Sequence, residues 1–416
     1  MSSQQANTSS FSHQTTFGVE WEFLLCYFHP GNQKDHDNYA DAISTAYPGT
    51  VIIPYTIKGT DAAVVYIRQG TIATLRENGI DINGIDSRGK MVVPPTPGRA
   101  ASQPHRFYLN TAHEKYFRWT MTTDGSVLAD NLQAGRDAPV EQQKLDWAPL
   151  ELISPAMRNE AASYVELERA VDLIKAEYRV RVNKTCGLHV HTAFGRDQIS
   201  AERLRRCAAL LFAVDLVVAE IHPRHRRDNV FAGSIRTSSN AAMGWTALDA
   251  VKGFENLPSN QYSWFRKRRG ESKVRIRDAV REIMACPTVG AIAWIMRTEY
   301  TDANYNFAKI VRTINPNPTL EFRQHDGTLD ARRMSAWARF CAGIFRYAVR
   351  DLTQAKLDEV VAFCERAEKD KSGKLHLYEL LESLGMTCQA RDLGLRPSMR
   401  TDPDDLVDLD KLTLDD

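Results

Sequence analysis

The stretch FGVEWEFLLCYF, residues 17–28, is the most strand-like segment of this 416-residue chain. Apolar and aromatic side chains dominate it, and its two charged residues are both glutamates. Residues i and i+2 of a strand face the same side, so Glu20 and Glu22 project together, away from the apolar residues that alternate with them. The segment therefore predicts a strand that presents two carboxylates on one face.

Three further segments predict strands with the same alternation. The segment CGLHVHT carries His189 and His191 two residues apart, and PLELIS carries Glu151 between two leucines. The segment TLEFRQH places polar side chains on one face at Glu321, Arg323 and His325. If these strands are neighbours, one concave face of a sheet presents four carboxylates, three imidazoles and one guanidinium.

This set of side chains is unusual for the water-exposed face of a sheet, which mostly carries Thr, Lys, Ser and Gln. A lone His-x-His pair is more often structural than metal-binding, so the combination carries the argument. Like charges packed this closely are destabilising unless cations neutralise them. The pattern therefore predicts bound metal ions or complexes of metal with a polyanion.

Composition narrows the class of protein. With 43% hydrophobic and 25% charged residues, the chain has the composition of a globular protein of one large or two medium domains. The 53 basic and 52 acidic residues leave a net charge of +1, which argues against a specific nucleic-acid partner. The longest apolar stretch, 209–221, is short and contains Asp215 and Glu220, so no membrane partner is expected.

Cysteine usage and the N-terminal residues predict a cytoplasmic location. The seven cysteines are isolated, without a C-x-x-C pair, which is typical of free thiols in a reducing compartment. The first 16 residues are rich in Ser, Thr, Gln and Asn and lack the apolar segment of a secretory signal.

The predicted organisation has four parts. They are a disordered leader over 1–16, a catalytic domain over 17–352 with a loop-rich insertion at about 29–113, a C-terminal helical segment over 353–400, and an acidic tail over 401–416. One helix is predicted inside the insertion, around Ala62 to Asn78. The tail holds seven Asp and one Lys and few core-forming side chains, so it is predicted to be solvated.

Capping residues and helical spacing predict the main helices of the catalytic domain. Ser154 is the predicted N-cap of one helix, with Pro155 at its first position, and Ser200 and Asp330 begin two others. A strand pair is predicted at Tyr305 to Ile314 and 319–325. Strands clustered with a few long helices, without regular βα alternation, predict an α+β fold with helices packed on one face of the sheet.

Five blocks of the sequence together resemble the amidoligase family. FGVEWEF, TTDGSV, LELISP, CGLHVH and LEFRQHDGTLD occur in this order, and the resemblance covers roughly residues 17–350. The family is part of the carboxylate–amine/ammonia ligase superfamily, which includes glutamine synthetase and glutamate–cysteine ligase. The resemblance implies a curved antiparallel sheet, a catalytic funnel like that of glutamine synthetase, that holds ATP and Mg²⁺ or Mn²⁺. It also implies that ATP phosphorylates a carboxylate and that an amine then attacks the acyl phosphate to give an amide.

Roles for the candidate residues follow from this resemblance. Hard oxygen ligands for the metal are predicted at Glu20, Glu22, Glu151 and Glu321, and His189 is predicted to complete the metal shell or to donate to a nucleotide phosphate. The predicted nucleotide contacts are His189, His191, Ser126, Asn306 and Arg323. The predicted catalytic residues are Arg323, Glu321 and Asp124.

Several of these roles have alternatives. Arg323 is predicted to contact the transferring phosphoryl group, where charge develops, or else to form an ion pair with Glu321. Asp124 and Ser126 are predicted to bind substrate or orient a metal ligand, or else to form a plain Asp-Gly turn. Gln324 is a weaker polar candidate, and the base that deprotonates the amine is not identified.

Two rival functions remain open from the sequence. One is a mononuclear metal-dependent oxygenase or hydrolase using His189, His191 and Glu321, and the other is a catalytically silent relative that binds nucleotide or peptide.

The segment 84–90 matches the phosphate-binding motif G-x4-G-K, but Met91 replaces the expected Ser or Thr, which favours a loop without that function. The carboxylate and amine substrates are small molecules or peptides, and no feature of the sequence distinguishes among them.

Overall fold

The computed structural model describes most of the chain. The described residues are 15–92, 116–129, 138–195, 199–227, 229, 231–255, 274–298, 303–311 and 318–400. Residues 1–14 of the predicted leader, the predicted acidic tail, and residues 93–113 of the predicted insertion lie outside them.

The chain divides into two compact units. The N-terminal unit comprises Gly18–Leu188 and Gly327–Ser335, and the C-terminal unit comprises the described parts of His189–Asp326 and Ala336–Asp416 together with Thr15–Phe17. The structure has the mixed helix and antiparallel-strand composition of an α+β protein, as the sequence predicts.

The described strands vary greatly in length. They are β1 (Thr15–Phe28), β2 (Val51–Ile52), β3 (Gly84–Ile85), β4 (Met91–Val92), β5 (Thr120–Thr122), β6 (Leu145–Ile153), β7 (Met157–Arg158), β8 (Val180–Arg181), β9 (Gly187–Phe194), β10 (Tyr305–Asn306) and β11 (Leu320–Asp326).

The described helices range from four to 20 residues in length. They are α1 (Gln33–Ala46), α2 (Thr60–Glu77), α3 (Val140–Gln143), α4 (Ala161–Glu177), α5 (Ala201–Ala219), α6 (Arg224–Arg227), α7 (Ile235–Ser238), α8 (Ala247–Glu255), α9 (Ile276–Ala285), α10 (Val289–Ile295), α11 (Ala331–Arg350), α12 (Gln354–Ala367), α13 (Leu377–Ser383) and α14 (Thr387–Asp392). A short 3₁₀ helix spans Ala308–Ile310.

The N-terminal unit is organised around β1. Its antiparallel partner is β6, which also pairs antiparallel with β5, so the strand order is β1–β6–β5. The short strands β2 and β8 pair with the end of β1. Trp21 and Phe23 lie on the apolar face of β1, fully buried, with their rings stacked 4.3 Å apart. The alternation predicted for this strand is therefore present.

The C-terminal unit packs helices around α5, whose contacts include α9, α10 and α12. Its strand order is β9–β11–β10. The C-terminal helices are joined to the end of α5 by His376, whose ring nitrogens lie 2.8 Å from Glu220 Oε1 and 3.0 Å from Asp370 Oδ2.

Two of the three predicted helix caps are confirmed. Ser200 Oγ accepts a hydrogen bond from the backbone N–H of Arg203 at the start of α5. Asp330 Oδ1 accepts from the backbone N–H groups of Arg332 and Arg333 at the start of α11. Both carboxyl and hydroxyl caps satisfy backbone donors that the first helical turn leaves without an intrahelical partner.

The predicted cap at Ser154 is wrong. Its hydroxyl accepts from Val19 N at 2.8 Å and donates to Pro155 O, so it closes the β1–β6 ladder instead. The chain then passes through β7, and α4 begins only at Ala161. The hydroxyl is used by the sheet because the register brings Val19 directly beside it.

Two other local predictions differ from the structure. The helix predicted around Ala62 is α2, but α1 also lies in the described part of the insertion, which is less loop-rich than predicted. The strand predicted over 305–314 is short, because the chain turns into the 3₁₀ helix after Asn306.

No helix among the described residues combines the length and apolar character that crossing a membrane requires.

Candidate functional site

Three carboxylates of the N-terminal unit come together through strand register. Glu22 of β1 lies directly opposite Glu151 of β6, and Thr122 of β5 lies directly opposite Glu151 on its other side. Asp124 follows β5 two residues after Thr122. One oxygen each of Glu22, Asp124 and Glu151 lies within 4.8 Å of the other two. We call these three residues the acidic cluster.

The surroundings of the acidic cluster hold its side chains in place. Glu22 is 2% exposed, and its Oε2 accepts a hydrogen bond from the backbone N–H of Gly187 at 2.6 Å. Asp124 Oδ1 accepts from the backbone N–H and the hydroxyl of Ser126. Glu20 lies on the same strand, half-buried, and pairs in register with Ile153. Ser126 therefore orients Asp124 within the Asp-Gly-Ser turn.

The chemistry of the acidic cluster fits a divalent metal ion. Like charges directly opposite one another on neighbouring strands are destabilising, and burial strengthens their repulsion. Carboxylate oxygens are the ligands that Mg²⁺ and Mn²⁺ prefer, and a bound cation would convert the repulsion into attraction.

Glu321 of the C-terminal unit lies among nitrogen donors. It is fully buried on β11, opposite Asn306 of β10. Its Oε1 is 2.7 Å from Nη1 of Arg323, and its Oε2 accepts from Nδ2 of Asn306 at 2.9 Å and lies 3.1 Å from Nζ of Lys309. We call Glu321, Arg323, Lys309 and Asn306 the Glu321 cluster. The ion pair that the sequence offers as the alternative for Arg323 is therefore present.

Both histidines of the His-x-His segment face the Glu321 cluster. His189 Nδ1 lies 3.9 Å and His191 Nε2 3.7 Å from Glu321 Oε1, and both distances are longer than a hydrogen bond. The other ring nitrogen of His191 is 3.1 Å from the hydroxyl of Thr319. The predicted neighbourhood of His189, His191, Glu321 and Arg323 is present within this unit.

Arg323 is held on several sides. Its Nε donates to the backbone oxygen of Phe231 at 3.1 Å, and its backbone N–H donates to Asn304 O at 2.9 Å. Arg226 of α6 donates from Nη2 to the backbone oxygen of Arg323 at 2.6 Å. The guanidinium is therefore fixed in one orientation beside Glu321.

A buried carboxylate on α5 supports this arrangement. Asp215 is fully buried and accepts hydrogen bonds from the side chains of Ser234 and Asn304 and from the backbone N–H of Arg236. Burial raises the pKa of Asp215, and these hydrogen bonds oppose that rise. Asn304 thus links the buried helix to the strand that carries Arg323.

His325 does not join the polar face on which the sequence places it. It is 3% exposed, its ring contacts those of His222 and Trp337, and its Nδ1 is 2.6 Å from the backbone oxygen of Asp326. The neighbouring Gln324 is also buried and donates to the hydroxyl of Tyr305 at 2.8 Å. Both side chains therefore pack inside the C-terminal unit.

Sequence reasoning missed Lys309 and Asp215. A strand over 305–314 would put Lys309 and Asn306 on opposite faces, whereas the 3₁₀ turn brings both side chains to Glu321. The signal for Asp215 was visible, since it interrupts the long apolar run of α5 and buried acids need hydrogen-bond donors.

The protein is therefore an α+β protein with a group of carboxylates that could hold a metal ion and a buried carboxylate surrounded by nitrogen donors. Comparison with known families then adds an identification. The family model described as "Putative amidoligase enzyme" matches residues 13–345, most of the chain. The protein belongs to this amidoligase family, which supports a role of the ligase type.

A solved structure shows weak similarity to this chain. The crystal structure of a bifunctional glutathione synthetase from Pasteurella multocida is 12% identical to this chain, with a TM-score of 0.31. The similarity covers 92% of this chain and 46% of the synthetase, so the protein spans less than half of that chain's length. Comparison with curated proteins gives no match.

Proposed function

We propose that the protein is an ATP-dependent carboxylate–amine ligase that forms an amide or peptide-like bond. The observation that carries this proposal is the acidic cluster, a buried set of like charges on paired strands of an amidoligase-family protein. The family match supports the reaction class. The acidic cluster supports the metal site of the proposal, and the Glu321 cluster supports its phosphate-binding site. The curved, funnel-shaped sheet implied by the resemblance is part of the same proposal.

The acidic cluster is assigned to Mg²⁺ or Mn²⁺. Glu22 and Glu151 supply oxygens from adjacent strands, Asp124 supplies a third, and Glu20 lies on the same face of β1. The hydrogen bond from Gly187 N–H fixes one oxygen of Glu22, and Ser126 fixes one oxygen of Asp124. These contacts would limit the geometries that the ligands can adopt, as the outer shell of a metal site commonly does.

The Glu321 cluster and the two histidines are assigned to the nucleotide phosphates and the transferring phosphoryl group. ATP would supply the phosphoryl group that activates the substrate carboxylate as an acyl phosphate with release of ADP, and the amine would then displace inorganic phosphate to give the amide. Arg323, held by Glu321 and by the carbonyl of Phe231, contributes a fixed cation where charge builds up during transfer. His189 and His191 are placed to donate to phosphate oxygens, and Glu321 acts by holding the cations.

A mononuclear metal centre built on His189, His191 and Glu321 is the weaker proposal. The two imidazole nitrogens lie within 3.9 Å of one Glu321 oxygen, which favours it. The same carboxylate, however, contacts Arg323, Lys309 and Asn306 through nitrogen donors. Two cationic side chains at a carboxylate oppose the binding of a further cation there.

The substrates and the location are also proposals. A small-molecule or peptide carboxylate and an amine are the expected substrates. A reducing, cytoplasmic compartment is supported by the seven cysteines, all of which are free thiols.

The proposal is tested by incubating the purified protein with ATP, Mg²⁺ or Mn²⁺ and hydroxylamine against a panel of amino-acid and peptide carboxylates. The expected result is carboxylate-dependent ADP together with a hydroxamate. Glu22→Gln should lose both products, whereas Glu168→Gln on α4, which is outside the acidic cluster, should keep them.

Nucleotide binding provides a second readout that does not require the correct carboxylate. Thermal stabilisation by Mg-ATP is expected for the wild type and should be lost in Glu22→Gln. Stabilisation by Mg-ATP without products would favour the catalytically silent relative. Turnover without nucleotide would contradict the ligase proposal and favour the mononuclear metal enzyme.

A further inference from the structure

The turn that leads to Gly187 is tied to the segment that carries Asp124. Gly187 donates its backbone N–H to Glu22 of the acidic cluster, and Asp124 is itself a member of that cluster. Asn183 stands four residues before Gly187, and Leu128 stands four residues after Asp124. The side chain of Asn183 donates from Nδ2 to the backbone oxygen of Leu128 at 2.7 Å. Asn183 therefore joins two segments that both lead to the acidic cluster.

Asn183, Leu128 and Thr185 form a closed ring of hydrogen bonds, which we call the Asn183 ring. The backbone N–H of Leu128 donates to the hydroxyl of Thr185 at 2.9 Å, and this hydroxyl donates to Oδ1 of Asn183 at 2.6 Å. The backbone N–H of Thr185 donates to the same Oδ1 at 2.9 Å. Both ends of the Asn183 amide are used, so these contacts specify one orientation of the side chain.

The turn before Gly187 is buried and is held by further backbone contacts. Asn183 is 8% exposed, and removing its amide would leave neighbouring polar groups without a partner. The backbone N–H of Cys186 donates to the carbonyl of Asn183 at 3.0 Å, and the backbone oxygen of Cys186 accepts from the N–H of Gly327 at 2.9 Å. The turn is therefore fixed inside the N-terminal unit, and the Asn183 ring attaches Leu128 to it.

The acidic cluster needs this attachment more than its strands do. Glu22 and Glu151 are placed by the β1–β6 ladder, whereas Asp124 lies in the loop after β5. Ser126 orients the Asp124 carboxylate within that loop, and the Asn183 ring connects the loop to the rest of the unit. Mg²⁺ requires nearly octahedral oxygens at about 2.0–2.1 Å. A ligand on a loop must therefore be held about as firmly as ligands on strands.

We infer that Asn183 is a positioning residue of the metal site, which holds Asp124 and the N–H of Gly187 in one arrangement. This inference rests on the proposed assignment of the acidic cluster to Mg²⁺ or Mn²⁺. Asn183 acts through Leu128 and Thr185, and not through contact with the ion. Loss of an outer contact of this kind commonly weakens metal binding about 10–100-fold.

The test measures the dissociation constant of Mn²⁺ from the full-length protein by isothermal titration calorimetry, without nucleotide. Asn183→Ala should raise this constant about tenfold or more. The control is Asn240→Ala, because the Asn240 amide also donates to a backbone carbonyl, that of Trp294 at 2.8 Å, but in the C-terminal unit. Urea unfolding in chelator measures the stability that each variant loses, and only Asn183→Ala should also lose affinity for Mn²⁺.

Two substitutions at Thr185 test the Asn183 ring without removing the buried amide. Thr185→Val keeps the shape but removes the hydroxyl, and it should raise the dissociation constant of Mn²⁺ about three- to tenfold. Thr185→Ser keeps the hydroxyl and should stay within about twofold of wild type. At saturating Mn²⁺, the electron paramagnetic resonance spectrum should differ from wild type in Thr185→Val but not in Thr185→Ser, because it reports the arrangement of the ligands. This pair decides the question if Asn183→Ala fails to fold.

Three outcomes would overturn the inference. Equal dissociation constants in wild type, Asn183→Ala and Thr185→Val would overturn the role of Asn183 alone, and the metal site would stand. An equal loss of affinity in Asn240→Ala would mean that general destabilisation explains the effect. No binding of Mn²⁺ by the wild type would overturn the assignment of the acidic cluster together with the role of Asn183.

Discussion

Glu151→Gln should stabilise the metal-free protein. Glu151 is 8% exposed and lies opposite Glu22 in the β1–β6 ladder, with Asp124 nearby. Glutamine has nearly the same shape and keeps an acceptor oxygen, so the substitution removes charge with little change in packing. It therefore isolates the electrostatic cost of holding three carboxylates together.

The size of this cost follows from the geometry. The offered oxygens lie within 4.8 Å of one another, and two unit charges at that separation repel by about 3.5 kcal/mol at an effective dielectric constant of 20. Neutralising Glu151 removes two of the three pairwise repulsions, a gross gain of about 7 kcal/mol. Hydrogen bonds and solvent relieve much of this repulsion, so about 1–3 kcal/mol should be measurable.

The assay is thermal unfolding in chelator and across a titration of Mg²⁺ or Mn²⁺. In chelator, we expect Glu151→Gln to unfold about 2–6 °C above wild type. Cation at 100 times its dissociation constant should stabilise the wild type by about 2.7 kcal/mol, and this gain should be largely lost in the variant. As metal is added, the melting temperature of the wild type should therefore approach or exceed that of Glu151→Gln.

The control is Glu168→Gln, which removes the same charge from α4 of the same unit. It should leave both the melting temperature in chelator and the stabilisation by added metal at their wild-type values. If Glu151→Gln is less stable than wild type in chelator and responds fully to metal, the acidic cluster is not a cation site. Other contacts would then already compensate these carboxylates, and their mutual repulsion would not destabilise the metal-free protein.

Two further predictions concern stability. Burial lowers the pKa of His376, but its hydrogen bonds to two carboxylates outweigh this and raise the pKa overall. Protonated His376 therefore stabilises the folded protein fully below its unfolded-state pKa of about 6.5. This stabilisation is lost as the pH rises through the pKa of His376 in the folded protein. The difference in melting temperature between wild type and His376→Asn should narrow from pH 6 to pH 9, and a widening difference would contradict the assignment. A methyl group on Gly327 would lie 2.6 Å from Cβ of Cys186, so Gly327→Ala should lower the free energy of unfolding by about 1–3 kcal/mol. Urea unfolding checks this, with the uncrowded Gly70→Ala as control, and equal stability of the two variants would refute the predicted clash.

The carboxylate pairing was predictable from the sequence because the strand period is simple. The period places Glu20 and Glu22 on one face of β1, and Glu151 is a lone acid between leucines of another predicted strand. The amidoligase resemblance, confirmed by the family match, linked these segments in order. The register that places Glu22 directly opposite Glu151 was not predictable, since pairing depends on the whole ladder and not on either strand alone.

The errors share a physical cause, namely that tertiary partners override local patterns. Ser154 has the properties of an N-cap, but Val19 N–H reaches its hydroxyl first. His325 has the spacing of a polar-face residue, but the ring of Trp337 on α11 packs against it. The strand predicted over 305–314 ends after Asn306, where the chain turns into a 3₁₀ helix. Each partner is distant in sequence, so no short pattern records it.

The position of Arg323 depends on a residue that cannot touch the phosphate it is proposed to contact. Asp215 lies inside the C-terminal unit on the apolar helix α5, where an uncompensated carboxylate would be very costly. Its hydrogen bonds with Ser234 and Asn304 compensate it, and Asn304 in turn accepts from the backbone N–H of Arg323. Burial therefore restrains this contact, because movement of Asn304 would remove the donor to one of the two buried Asp215 oxygens. The hydrogen bonds of a buried carboxylate on α5 thereby help to fix the backbone from which the guanidinium of Arg323 extends.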